Sequence, residues 1–103
     1  MKIIKLLSEH IESELEDAEH YAKLALHYKE EHPNIAKTFF DLSVEEMDHV
    51  ERLHNDVVDM IEKYRKEHGE PPAAMKAVYD YLHEKNVEWA KEIRVYHNQY
   101  KGM

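Results

Sequence analysis

Residues 35–50, IAKTFFDLSVEEMDHV, place apolar side chains at intervals of three and four, as on one face of an α-helix. Glu46 and His49 fall on that same face. Helix geometry sets these two side chains about 60° apart in rotation and roughly 4.5 Å apart along the axis, so that one metal ion reaches both. The stretch therefore predicts a long amphipathic helix that carries a Glu-x-x-His pair of metal ligands in its apolar seam.

The rest of the chain has the composition of long helices. Its 103 residues suffice for one small domain, residues 1–103, and 35% of them are charged, against about 25% in an average domain. Two glycines and three prolines interrupt it, and no stretch alternates like a strand. The sequence predicts an all-α fold.

Two breaks divide the chain into three predicted helices, over about residues 2–31, 33–67 and 72–100. Pro33 cannot continue the first helix but is well suited to begin the second, and Gly69 followed by Pro71 and Pro72 repeats such a break. Because both connections are short, consecutive helices are expected to be antiparallel neighbours, the first two in a hairpin about 45 Å long.

Composition also excludes several classes of partner. A chain without cysteine has no disulfide or thiolate metal site, and a net charge of −8 disfavours nucleic acid while favouring the attraction of cations. Glu9 and Glu12 follow Met1–Leu7 too closely for a signal-peptide core, and no segment has membrane length. We expect a cytoplasmic protein with no membrane or nucleic-acid partner.

The predicted apolar seams contain few charged residues. Glu14 is the only charged member of the first seam, which comprises Leu7, Ile11, Glu14, Ala18, Tyr21, Ala25 and Tyr28. The second runs through Ile35, Phe39, Leu42, Glu46, His49, Leu53 and Met60, and the third through Met75, Tyr79, Leu82, Asn86, Trp89, Ile93, Tyr96 and Tyr100. Counted from the turn at Pro33, Glu14 lies roughly 28 Å along its helix and Glu46 with His49 roughly 22 Å along theirs, so they meet within about one turn.

An unpaired carboxylate in a helix bundle costs several kcal/mol, so a seam glutamate normally pairs with a cation or binds metal. The alternative is that Glu14 and Glu46 form protonated structural hydrogen bonds with Tyr21 or His49. Glu16 matches the depth of Glu46 and His49 slightly better than Glu14 does, but it is rotated off the seam and ranks second. His10, one turn before Glu14, could be an accessory ligand but is better explained as an exposed helix histidine.

A second Glu-x-x-His copy, Glu51 with His54, lies off the seam and is better explained by a solvated face. The remaining histidines show no pairing that suggests a site; they are His20, His27, His32, His68, His83 and His97.

Glu14 with Tyr21 seven residues later, followed by Glu46-x-x-His49 on the next helix, resembles the first half of the ferritin and rubrerythrin superfamily. The resemblance covers about residues 3–65. It implies that Glu14 is a metal ligand, Glu46 a bridging carboxylate, His49 a terminal ligand and Tyr21 a neighbouring hydrogen-bonding group, so that these four residues would carry the catalysis.

A complete site of this type takes one Glu from each of two helices and a Glu-x-x-His from each of two more, and this chain supplies one of each. The resemblance therefore implies a homodimer, or a higher oligomer, in which two copies enclose a di-iron centre, with manganese as the alternative metal. Short chains of this kind resemble encapsulated ferritins. A shell protein would be the partner there, but the sequence shows no C-terminal cargo peptide.

These features predict a dimer-built di-iron ferroxidase that binds and oxidises Fe(II) for storage or detoxification. A rubrerythrin-like peroxide reductase is the second hypothesis. The third is a non-catalytic helical assembly protein in which the seam acids and histidine specify register.

Overall fold

The computed structural model describes residues 2–102 and consists of three helices, α1 (Lys2–Tyr28), α2 (Pro33–His68) and α3 (Ala73–Lys101), with no strand in that range. They form a rod of 55 × 18 × 17 Å. The all-α prediction is confirmed. No helix of residues 2–102 is long and apolar enough to cross a membrane.

The first connection is longer than the sequence predicted. Helix α1 ends at Tyr28, whereas the prediction extended it to residue 31. The His32 amide donates to the Tyr28 carbonyl at 2.9 Å, and Pro33 then occupies the first position of α2. Because the residue before a proline disfavours the helical region, His32 adopts φ −136° and the turn takes up the three residues before it.

The second connection follows the predicted use of glycine and proline. Gly69 has φ +78°, a conformation that costs a side-chain-bearing residue more than glycine, and its amide donates to the Arg65 carbonyl at 2.9 Å. Pro72 immediately precedes α3. The chain thus reverses a second time within a few residues.

The core lies along the hairpin of α1 and α2, and α3 covers one side of it. Ile11, Leu15 and Ala18 of α1 pack with Ile93 of α3, and the last three of these side chains are fully buried. Ala22, Ala25 and Ala36 are buried along the hairpin as well. These small side chains allow the α1 and α2 backbones to approach closely.

Aromatic and polar contacts fix the C-terminal half of α3. Tyr100 stacks on Phe40 with ring centroids 4.5 Å apart, and Lys29 donates to the Tyr100 carbonyl at 2.6 Å. The indole N–H of Trp89 donates to the Glu19 carboxylate. Lys23, which also hydrogen-bonds Glu19, is the main reason that the pKa of Glu19 is lowered.

The N-terminal half of α3 contributes no buried side chain, and α3 as a whole packs mainly on α1 and touches α2 sparingly. Between this half and α2 lies an open groove of about 760 Å³. Met47, Val50 and Val57 line it from α2, and Tyr79 and Leu82 from α3. The groove places the side chains of two helices opposite each other without close packing.

Candidate metal centre

Glu14, Glu46 and His49 come together although 35 residues separate the first from the last. One ligand atom of each lies within 4.8 Å of the others. His49 Nδ1 is 3.3 Å from Glu14 Oε2 and 3.9 Å from Glu46 Oε2. The antiparallel hairpin brings these residues together, in agreement with their predicted distances from the turn at Pro33.

The donor set fits a divalent cation. Ligand atoms about 2.1 Å from one ion, at angles near 90–110°, are roughly 3.0–3.4 Å apart, so the observed distances need only small side-chain rotations. In the hydrogen bond to Glu14, His49 donates its Nδ1 proton, because a carboxylate only accepts. A metal ion would take the place of that proton between the two carboxylates.

The three side chains are only partly shielded: 26% of Glu14, 19% of Glu46 and 49% of His49 are exposed. Two carboxylates and one imidazole leave several positions of a hard six-coordinate ion without a protein ligand. One chain therefore leaves one side of such a site open.

The open side of the cluster is turned away from the contact between Leu15 and α3. Glu14 precedes Leu15, which packs on Ile93 of α3, and is therefore rotated from it by about 100°. Helical spacing places half-buried apolar residues on the same face as the cluster; they are Leu7, Tyr21, Phe39 and Leu42. We call these four residues with Glu14, Glu46 and His49 the site face.

Tyr21 is half-buried on the site face, and its ring stacks on Phe39 with centroids 6.1 Å apart. The two residues considered as accessory ligands lie outside the cluster. Glu16 is exposed and lines a surface depression with Glu12 and Glu19, and His10 is exposed as well. Within residues 2–102, the group of three ligands includes neither.

The second Glu-x-x-His copy behaves only partly as expected. Glu51 is exposed, but His54 is half-buried, and its ring stacks on His83 of α3 with centroids 5.1 Å apart. Burial, and secondarily His83, lowers the pKa of His54. His83, for which the sequence suggested no pairing that forms a site, thus lies beside His54. The sequence contains a feature that relates the two histidines: Asp80 precedes His83 by three residues, as Glu51 precedes His54.

Comparison with known proteins places the fold in a family. The family model described as Rubrerythrin matches residues 5–102, nearly the whole chain. Neither the curated proteins nor the solved structures include a significant match.

Proposed function

The chain belongs to the rubrerythrin family of the ferritin-like superfamily, and we propose that it is a di-iron protein that binds and oxidises Fe(II) in a homodimer. The observation that carries the proposal is the cluster of Glu14, Glu46 and His49 on the site face. A carboxylate-rich set with one imidazole suits iron, or manganese, better than copper.

The dimer follows from the number of ligands. One chain contributes one Glu and one Glu-x-x-His, whereas a two-metal site within four helices uses two of each. A two-fold axis beside the site face would bring the missing set from a second copy. The half-buried Leu7, Phe39 and Leu42 support this arrangement, because they supply apolar area beside the ligands for a partner helix to cover.

Each ligand then has a role in the pair. Glu46, the better shielded carboxylate, would bridge the two ions, while Glu14 and His49 would each hold one. To bind a metal through Nδ1, His49 would take the tautomer that carries its proton on Nε2. Iron supplies one-electron redox chemistry: two Fe(II) substrate ions release two electrons, which O₂ takes up with two protons as H₂O₂.

Anaerobic Fe(II) titration followed by exposure to O₂ tests the assignment. We expect about one iron per chain and the appearance of ferric absorbance. Glu46→Ala should lose both, whereas Glu45→Ala, which alters an exposed carboxylate on the same helix, should keep them. Equal uptake by the two variants would refute the assignment.

The family favours peroxide reduction as a second activity of the same centre. In that reaction two Fe(II) ions give two electrons to H₂O₂, which with two protons yields two waters, and an external reductant must then restore Fe(II). Mixing the Fe(II)-loaded protein with either O₂ or H₂O₂ in a stopped-flow instrument separates the two activities. Faster oxidation by equimolar H₂O₂ would favour the reductase.

A non-catalytic assembly protein is the remaining alternative, with Glu14, Glu46 and His49 as polar contacts that specify register. This alternative predicts that the protein is purified without iron and binds no iron when Fe(II) is added.

A further inference from the structure

The groove between α2 and the N-terminal half of α3 holds two carboxylate-x-x-His pairs, one on each helix. Glu51 and His54 come from α2, and Asp80 and His83 come from α3. All four residues line the groove. None of them belongs to the Glu14 cluster, so this is a separate set of potential ligands.

The two imidazoles already stand at a separation that fits a shared metal ion. An imidazole nitrogen binds zinc at about 2.1 Å, which puts the ring centre about 3.2 Å from the ion, and tetrahedral angles then set two ring centres about 5.2 Å apart. The observed distance between the His54 and His83 centroids is 5.1 Å. The two rings are stacked, with 28° between their planes, and within residues 2–102 only the Glu14 cluster has three ligand atoms within 4.8 Å of one another. Binding in the groove would therefore need rotation of the two rings and of both carboxylate side chains.

The carboxylates flank the imidazole pair. Each precedes its own histidine by three residues, which puts carboxylate and imidazole on neighbouring turns of one helix face. Since the short connection at residues 69–72 makes α2 and α3 antiparallel, Glu51 and Asp80 approach from opposite ends of the pair. Glu51 is exposed and free to rotate, and Asp80 is held by Lys76 in an exposed ion pair of a kind that contributes little to stability.

We propose that Glu51, His54, Asp80 and His83 form a second metal site, which binds a four-coordinate divalent ion of the zinc type between α2 and α3. Two imidazoles and two carboxylates form a softer donor set than that of the Glu14 cluster, and favour zinc or cobalt over iron.

The bound ion would link α2 to the N-terminal half of α3. The N-terminal half of α3 contributes no buried side chain, whereas its C-terminal half is anchored through Trp89, Ile93 and Tyr100. A metal bound by ligands of both helices stabilises only the arrangement in which they lie together. Zinc should therefore rigidify this half of α3 and leave the hairpin unchanged.

Co²⁺ titration followed by visible absorbance tests the site, because tetrahedral cobalt absorbs far more strongly than octahedral cobalt. The titration is made in a His49→Ala variant, which disables the Glu14 cluster so that only binding in the groove is observed. A Glu46→Gln variant serves as an independent second background. We expect about one cobalt per chain with a tetrahedral spectrum, displaced by Zn²⁺.

In that background His83→Ala should weaken cobalt binding at least about tenfold, since it removes one of four ligands. His27→Ala is the matched control: it replaces an exposed histidine about 32 Å from His54 along the helices and should bind as the parent does. Glu51→Gln and Asp80→Asn should each weaken binding. Absence of a tetrahedral spectrum, equal affinity in His83→Ala, or indifference to both carboxylate changes would overturn the four-ligand site.

Discussion

The hydroxyl oxygen of Ser43 lies 2.7 Å from Nε2 of His97 and 2.7 Å from the carbonyl oxygen of Ala18, so that one fully buried side chain joins all three helices. A hydroxyl has one proton to donate, and the Ala18 carbonyl can only accept it. His97 must therefore donate its Nε2 proton to Ser43, which fixes the tautomer of the imidazole. The contact holds the C-terminal half of α3 in place on the hairpin.

Replacement of Ser43 by alanine should destabilise the protein by about 1–3 kcal/mol, because both the Ala18 carbonyl and the His97 N–H lose a buried partner. Urea unfolding followed by circular dichroism measures the difference. Thr38→Ala is the matched control, since its hydroxyl also donates to a carbonyl but at an exposed position, and it should change stability by less than about 0.5 kcal/mol. Equal losses in the two variants would contradict this account.

His97 should make the fold sensitive to mild acid. Burial, and then Lys101, lowers the pKa of His97 from its ordinary value of 6.5, so the unfolded chain takes up this proton more readily than the folded one. The contribution of His97 to stability is thus fully present above pH 6.5 and declines as pH falls towards the lowered pKa. Besides Lys101, its neighbours are the uncharged Ser43 and Phe40.

The measurement is the free energy of unfolding at about pH 7.5 and about pH 5.5. His97→Gln should lose part of the decrease that the natural protein shows over this interval. His27→Gln, at an exposed position, should retain it. If both variants keep the full decrease, His97 does not cause it.

Periodicity predicted the secondary structure and much of the packing. Every position of the predicted seam of α3 is buried or half-buried, from Met75 through Asn86 and Ile93 to Tyr100. The hairpin likewise brings Glu14 to His49 at the predicted depth. Both results rest on helix rise and rotation alone, which a sequence specifies directly.

What the sequence did not predict depends on how the helices are rotated against one another. Ser43 is fully buried although it lies off the predicted seam, and Leu15 and Ala22 form a second buried line on α1 because α3 packs beside the hairpin. His49 was placed in a seam but is 49% exposed, since α3 covers the other side. The hydrophobic pattern of one helix does not specify which neighbouring helix will cover each of its faces.

Tyr21 should affect oxidation more than metal binding. Tyr21→Phe keeps the ring stacked on Phe39 and removes only the hydroxyl, two turns from Glu14. We expect unchanged iron per chain and a rate of Fe(II) oxidation altered by about fivefold, the factor that corresponds to one hydrogen bond of about 1 kcal/mol. Tyr28→Phe, one seam repeat further on, is the control and should oxidise normally. Loss of iron in Tyr21→Phe would show that the hydroxyl is needed for the structure of the site instead.

Iron should favour the dimer, because a centre made from two open halves exists only in the associated state. Without metal, the two copies of Glu14 and Glu46 would bring four carboxylates together, and their repulsion opposes association. Metal held only by the folded dimer stabilises it by RT ln(1 + [L]/Kd), which is about 2.7 kcal/mol when free metal is about 100 times Kd. We therefore expect Fe(II) under anaerobic conditions to increase the dimer fraction in native mass spectra and to raise Tm.

Glu14→Gln keeps the shape of the side chain and removes a ligand charge, so it should reduce both responses, and the loss of charge should make the metal-free dimer easier to form. Glu45→Gln changes an exposed charge beside the site and should respond to iron as the natural protein does. A natural protein that stays monomeric, with a Tm indifferent to Fe(II), would show that the two half-sites do not combine. The hypothesis of a non-catalytic helical assembly protein would then replace that of a di-iron protein.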